Sequence, residues 1–88
     1  MKIKYLKQFL DDVAKLNIRQ AKRLKERLEL FLEHPTHPAL RNHKLKGKLK
    51  NFCSINITGD IRAIYKIKKH KKELIAEFIR LGTHTQLY

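Results

Sequence analysis

The stretch Phe52–Ile67, FCSINITGDIRAIYKI, decides the fold. FCSINIT is rich in β-branched residues, and IRAIYKI is a second run of strand length, so both favour extended backbone. Between them lies TGDI, in which Gly59 and Asp60 read as a two-residue turn. The stretch is therefore a β-hairpin. Downstream, KKHKK leads into ELIAEFIRL at residues 73–81, another strand, and then into the polar GTHTQLY at 82–88. Upstream, HKLKGKLKNF at 43–52 alternates lysine with leucine and glycine, which reads as a further strand with Lys44, Lys46, Lys48 and Lys50 along one side.

Before residue 40 the period is helical. HPTHPAL at 34–40 is a loop held by two prolines. Ile18, Ala21, Leu24, Leu28, Phe31 and Leu32 mark the apolar stripe of a long helix. It ends near His34, because Pro35 disfavours helical backbone in the residue before it. Asn17 with Gln20 three residues on predicts a capping box at its start. Leu6, Phe9, Leu10, Val13 and Leu16 predict an earlier helix, with Asp11 and Lys15 paired one turn apart. KIKY at 2–5 alternates as a short strand. The order β-α-α-β-β-β-β describes an α+β fold in a single domain, residues 1–88. A short N-terminal strand precedes a two-helix hairpin packed on one face of an antiparallel sheet of four to five strands, whose other face stays open.

A domain of 88 residues buries only about 60% of its unfolded surface, so chemistry belongs on an open face or shallow cleft rather than in a deep chamber. Lys and Arg number 21 against 8 Asp and Glu, a net charge of +13. Most of the imbalance falls after His34. The partner is an anion, with nucleic acid the first reading because phosphate neutralisation supplies most non-specific affinity. Cys53 is the only cysteine, which excludes an internal disulfide framework and a cysteine-based zinc site and suits a reducing cytoplasm. His34 and His37 flank Pro35 with no third ligand fixed nearby, so no metal site is expected and no cofactor is called for. No run approaches the roughly 18 apolar residues of a membrane span, and MKIKYLKQFL lacks a signal-peptide core. A cytoplasmic protein without a membrane partner is expected.

HKLKG, FCSINITGDIRAIYKI and IRLGTHTQLY together resemble the RelE/ParE toxin superfamily, and most closely its YafQ-like branch. The sharpest pieces are Leu45-x-Gly47, the GDIRAIY hairpin, and Gly82-x-His84 with an aromatic, Tyr88, four residues later. The resemblance implies a RelE-like fold and a toxin of a type II toxin-antitoxin system. Such a toxin is an endoribonuclease, or mRNA interferase, that cuts mRNA in the ribosomal decoding site and is silenced by a cognate antitoxin. It also implies site residues. His84 matches a catalytic histidine, His43 a further site histidine that serves as a second proton-transfer group or as a phosphate contact, Arg62 a functional arginine, Asp60 an active-site aspartate, and Tyr88 an aromatic that stacks on a base.

The chemistry agrees with that set. Cleaving RNA without a metal requires the 2′-hydroxyl to lose a proton, the 5′-oxygen to gain one, and the added phosphate charge to be held. Imidazole titrates near neutrality, guanidinium grips two phosphate oxygens, and a phenol stacks. Each residue has a plainer reading: solvated histidines, an edge arginine paired with Glu77, a turn aspartate, an aromatic tucked on the core. Asn56 stands where YafQ-like relatives carry another catalytic histidine, and asparagine cannot shuttle a proton at neutral pH. Lys44, Lys46, Lys48, Lys50, Lys66 and Lys68 are expected to bind mRNA and rRNA of the ribosome through phosphates. An antitoxin with an acidic amphipathic helix would suit the basic face. Two other readings fit the same charge: a ParE-like toxin that acts on DNA gyrase without cutting RNA, and a basic RNA-binding module without catalysis.

Overall fold

The computed structural model describes residues 1–88. Strand β1 (Lys2–Tyr5) leads into helix α1 (Lys7–Val13) and the longer α2 (Ile18–Glu33). A 3₁₀ turn at Pro38–Leu40 precedes the two-residue strand β2 (His43–Lys44), and a second 3₁₀ turn at Gly47–Leu49 precedes β3 (Cys53–Asn56). Strands β4 (Ile61–His70) and β5 (Glu73–Thr83) are the longest, and a one-turn helix α3 (His84–Leu87) follows. The sheet order is β1-β5-β4-β3-β2.

The α+β layout is as the pattern predicts, with one correction to the sheet: β1 pairs parallel to β5, from Lys2 opposite Ile75 to Tyr5 opposite Phe78, so the sheet is mixed. The α2 capping box forms as expected. Asn17 Oδ1 accepts from the Gln20 amide at 2.8 Å, and Gln20 Oε1 from the Asn17 amide at 3.0 Å. The apolar stripe of α2 is narrower than the sequence suggests. Leu24 and Phe31 are buried with Leu28 half-buried beside them, whereas Ile18 is 89% exposed. Leu10 and Leu32 line a surface groove between the helices.

Four aromatics make the centre of the core. Phe78 of β5 lies 5.5 Å from Phe9, 5.5 Å from Phe31 and 5.2 Å from Tyr65, ring centre to ring centre. Edge-to-face and tilted pairs of this kind add to the area they bury. Phe9, Leu24 and Phe31 thereby fasten the helices to Ile55, Ala63, Ala76 and Leu81 on one sheet face.

Two polar devices fix what lies around that core. Beyond Tyr5 the edge of β5 has no strand partner, and Asp12 of α1 takes its place: Oδ2 accepts from the Leu81 amide and from Arg80 Nε, both at 2.9 Å. Burial opposes ionisation of Asp12, but those two bonds, the Arg80 charge and a weak bond from Gln8 together hold its carboxyl below the ordinary range. The second device is Asn42. It accepts the Tyr65 hydroxyl at 2.7 Å and donates to the Pro35 carbonyl at 2.9 Å, tying the 35–42 loop to the core. Burial pushes the Tyr65 phenol up, so it stays a donor.

Three local readings change. HKLKGKLKNF is not one strand: Gly47 has φ +67, outside the range most side chains accept, and the chain turns there so that the Leu45 amide meets the Phe52 carbonyl at 2.9 Å. The lysines at 44, 46, 48 and 50 therefore do not form one rail. The β3–β4 connection spans Ile57–Asp60 rather than two residues, because Thr58 Oγ1 accepts the amides of Asp60 and Ile61 and builds the turn itself. Finally, KKHKK is mostly strand, with the turn confined to Lys71 and Lys72; His70 pairs with Glu73. No helix is long and apolar enough to cross a membrane.

Candidate active site

On the face away from the helices, register brings polar residues together. His43 of β2 lies opposite Ser54 of β3, which lies opposite Ile64 of β4. One step along, Asn56 is opposite Arg62, and Arg62 is opposite Gly82 of β5. Directly opposed residues share a sheet face, so His43, Ser54 and Arg62 project to the same side.

Gly82 then allows the tail to return over that face. A Cβ at Gly82 would lie 2.7 Å from Gln86 Oε1 and 3.5 Å from Leu87 Cδ2. A side chain here would displace the Gln86 amide oxygen, so glycine lets α3 and its cap settle against the sheet undisturbed. Its first turn is closed by a capping box in which Thr83 Oγ1 accepts the Gln86 amide at 3.2 Å and Gln86 Oε1 accepts the Thr83 amide at 2.8 Å. Residues 84 and 88 are one turn apart, and the His84 and Tyr88 rings meet with centres 4.5 Å apart.

The result is an open cavity of about 200 Å³ lined by His43, Leu45, Lys46, Leu49, Ser54, Arg62, His84 and Tyr88. Four of the five residues expected from sequence to be catalytic meet here. Asp60 does not: it is exposed on the β3–β4 turn and its carboxylate makes no hydrogen bond or ion pair. Its part in the turn is played by its backbone amide.

Local bonds orient the reactive groups. His43 Nδ1 lies 2.7 Å from the Arg41 carbonyl, an acceptor only, so Nδ1 carries the hydrogen and Nε2 of the neutral ring keeps its lone pair. Arg62 Nη1 donates to the carbonyls of Thr58, Gly59 and Ile61 at 3.1, 3.0 and 3.3 Å. That fastens the guanidinium over the turn and leaves Nε and Nη2 for a ligand. Arg62 is not paired with Glu77, which is met instead by Lys68 at 3.8 Å. Ser54 is fully buried, and its hydroxyl is the one buried side-chain polar atom without a partner.

Of the lysines, Lys46 lines the cavity. Lys44, Lys48 and Lys50 are exposed. Lys66 stands over the Phe52 ring, 5.9 Å from its centre, and Lys68 is engaged by Glu77. Sequence reading missed Ser54, which looks like an ordinary strand residue until register sets it beside His43. The only signal was that it lies an even number of residues from Asn56 in the same strand.

A five-stranded mixed sheet carrying two helices on one face is the fold of RelE/YoeB-like toxins. The family model of YafQ, the bacterial toxin of type II toxin-antitoxin systems, matches residues 1–88, and the chain belongs to that family. YafQ from E. coli strain BL21(DE3) is 25% identical with a TM-score of 0.80, over 99% of this chain and 97% of that one. The toxin in the E. coli DinJ-YafQ toxin-antitoxin complex is 27% identical with a TM-score of 0.74, over 99% and 96%. A YoeB/ParE toxin from Agrobacterium tumefaciens shares the fold at 21% identity and a TM-score of 0.77, over 96% and 99%. None of the curated proteins is a significant match in sequence.

Proposed function

We propose that this toxin is a cytoplasmic endoribonuclease that cuts mRNA on the ribosome without a metal ion, by attack of the 2′-hydroxyl on the adjacent phosphodiester. The observation that carries the proposal is the meeting of His43 from β2, Arg62 from β4, and His84 and Tyr88 from the C-terminal tail around one small cavity. At about 200 Å³ it is smaller than the roughly 300–1,000 Å³ of sites that enclose a whole ligand. It suits one linkage of a polymer whose remaining nucleotides lie outside.

His43, with its Nε2 lone pair free, takes the 2′-hydroxyl proton. The 2′-oxygen bonds to phosphorus, and the charge that builds on the non-bridging oxygens is held by Arg62 and Lys46. As the bond from phosphorus to the 5′-oxygen breaks, protonated His84 supplies that oxygen with a proton. The products are a 2′,3′-cyclic phosphate and a 5′-hydroxyl end. Tyr88, 45% exposed, offers a face on which a base stacks. Asn56 opposite Arg62 has no proton to exchange, so two imidazoles carry both transfers.

Exposed Lys44, Lys48 and Lys50, with Lys66 on its strand, contact rRNA through phosphates. A cognate antitoxin neutralises the toxin, as the DinJ-YafQ complex suggests by analogy. The test is to supply purified protein with mRNA in the presence and absence of translating ribosomes and map the new ends. Cyclic phosphate ends that vanish in a folded His84→Ala variant support the proposal. Equal cleavage by that variant would overturn it.

A further inference from the structure

Beside the reaction cavity lies a larger cleft, about 680 Å³ in volume, between α2 and the β3–β4 hairpin. Arg19, Arg23, Arg27, Arg41 and Arg62 line it, and no aspartate or glutamate does. The first three are spaced by four, so they stand on one face of α2. Such a gathering of like charge repels itself and needs a counter-charge. The protein supplies almost none: only Arg23 approaches a carboxylate, Glu26, at 3.9 Å. Arg80, by contrast, is closed onto Asp12 at 2.9 Å, which is how this fold treats an arginine kept for structure.

Arg41 adds a second indication. It holds φ +45, a left-handed backbone that costs a non-glycine residue energy, in the cleft wall and two residues before His43. Arg62 lines both the cleft and the reaction cavity. A phosphodiester chain seated on Arg62 can therefore continue into the cleft that the other four arginines line.

We infer that this arginine cleft is a binding track for single-stranded RNA, holding phosphates of the strand that flanks the cleaved linkage. The inference rests on the nuclease reading for the identity of the linkage, but not for the existence of the track. Guanidinium forks match phosphate oxygens in pairs. With phosphates as the ligand and no base-reading arrangement required, the track grips without selecting sequence. It explains why a cavity sized for one linkage can hold a long substrate.

The test uses 2′-O-methyl oligonucleotides, which cannot be cut, as a dinucleotide and as versions lengthened by four nucleotides on either side. Wild-type protein is expected to bind one lengthened form much more tightly than the dinucleotide. In the triple variant Arg19→Gln, Arg23→Gln, Arg27→Gln that gain should fall about tenfold or more, since each bond to a charged group is worth about that factor. The dinucleotide affinity should stay unchanged. The slope of log affinity against log salt should fall by about 0.7 for each phosphate that the variant no longer neutralises. Arg41→Gly, which removes a guanidinium and relieves its backbone, keeps the test open if the triple variant does not fold; it should lose part of the same gain.

An unchanged gain and slope in a folded variant would overturn the inference. So would a variant that binds RNA normally but has weakened affinity for a poly-glutamate peptide, which would assign the cleft to an acidic protein segment. The two readings fail separately. Full length-dependent binding by a protein that cuts no RNA supports the track and sinks the nuclease. Undiminished single-turnover cleavage of long RNA by the triple variant sinks the track and leaves the nuclease standing.

Discussion

Gly82→Ala tests whether the tail is held by contact rather than by chance. The added Cβ meets Gln86 Oε1 at 2.7 Å, about 0.7 Å inside ordinary contact for carbon and oxygen. The backbone of Gly82 is not left-handed, so alanine fits the chain itself. Gln86 must swing away, and in doing so it releases the Thr83 amide it accepts at 2.8 Å. Losing a cap of this kind costs about 0.5–2 kcal/mol. A four-residue helix has little else, because none of its residues is buried. At about 1 kcal/mol the undocked population of α3 rises roughly fivefold.

The core does not pass through α3, and alanine restricts the unfolded chain by about 0.4–1 kcal/mol in the opposite sense. Global stability should therefore hardly change. Hydrogen exchange at the Gln86 and Tyr88 amides reads the tail, since these donate to Thr83 and His84. Thermal unfolding reads the core. If the Gln86 clash is the cause, Gln86→Ala should loosen the tail equally, and the double variant no more than either alone. Additive losses, or unchanged exchange in Gly82→Ala, would refute the reasoning.

Asp12→Ala leaves the buried Leu81 amide unpaired and should cost about 1–3 kcal/mol by urea unfolding at neutral pH. Because the folded carboxyl titrates below its unfolded value of about 4, the difference should be constant above about pH 4 and shrink as pH falls through the folded value; a pH-independent difference would contradict the assigned bonds. Asn42→Ala should cost a similar amount and loosen His43, giving slower cleavage alongside reduced stability. Ser54→Ala removes an unpartnered buried hydroxyl and should leave stability equal or slightly higher by urea unfolding. A variant that loses stability instead would place a protein partner on that hydroxyl.

What the sequence made legible was whatever local pattern determines. The Asn17–Gln20 box, the α2 stop before Pro35 and the long β4 and β5 strands follow from capping, proline geometry and alternation. The parallel seam between β1 and β5 does not, because it joins residues more than seventy positions apart and leaves no local trace in KIKY. Gly47 misled in a different way: between evenly spaced lysines it looked like one more strand position, yet its φ ends the strand. Arg62 drew notice as a charge in an apolar run, and His84 and Tyr88 through the Gly-x-His resemblance; the structure gathers all three around one cavity. Arg19, Arg23 and Arg27 could not be singled out, since arginines on the outer face of an amphipathic helix read as ordinary solvation until the hairpin is seen to close a cleft over them.

That seam also has a bearing on how the polypeptide comes into being. Since β1 finds its neighbour only in β5, and Phe78 of that same strand seals the aromatic centre, synthesis up to residue 72 yields no finished sheet. Contacts of such long range are slow to form. A prematurely stopped product lacks its keystone strand and lies open to proteases at once. The chain closes into a complete sheet only after that last long strand has left the ribosome.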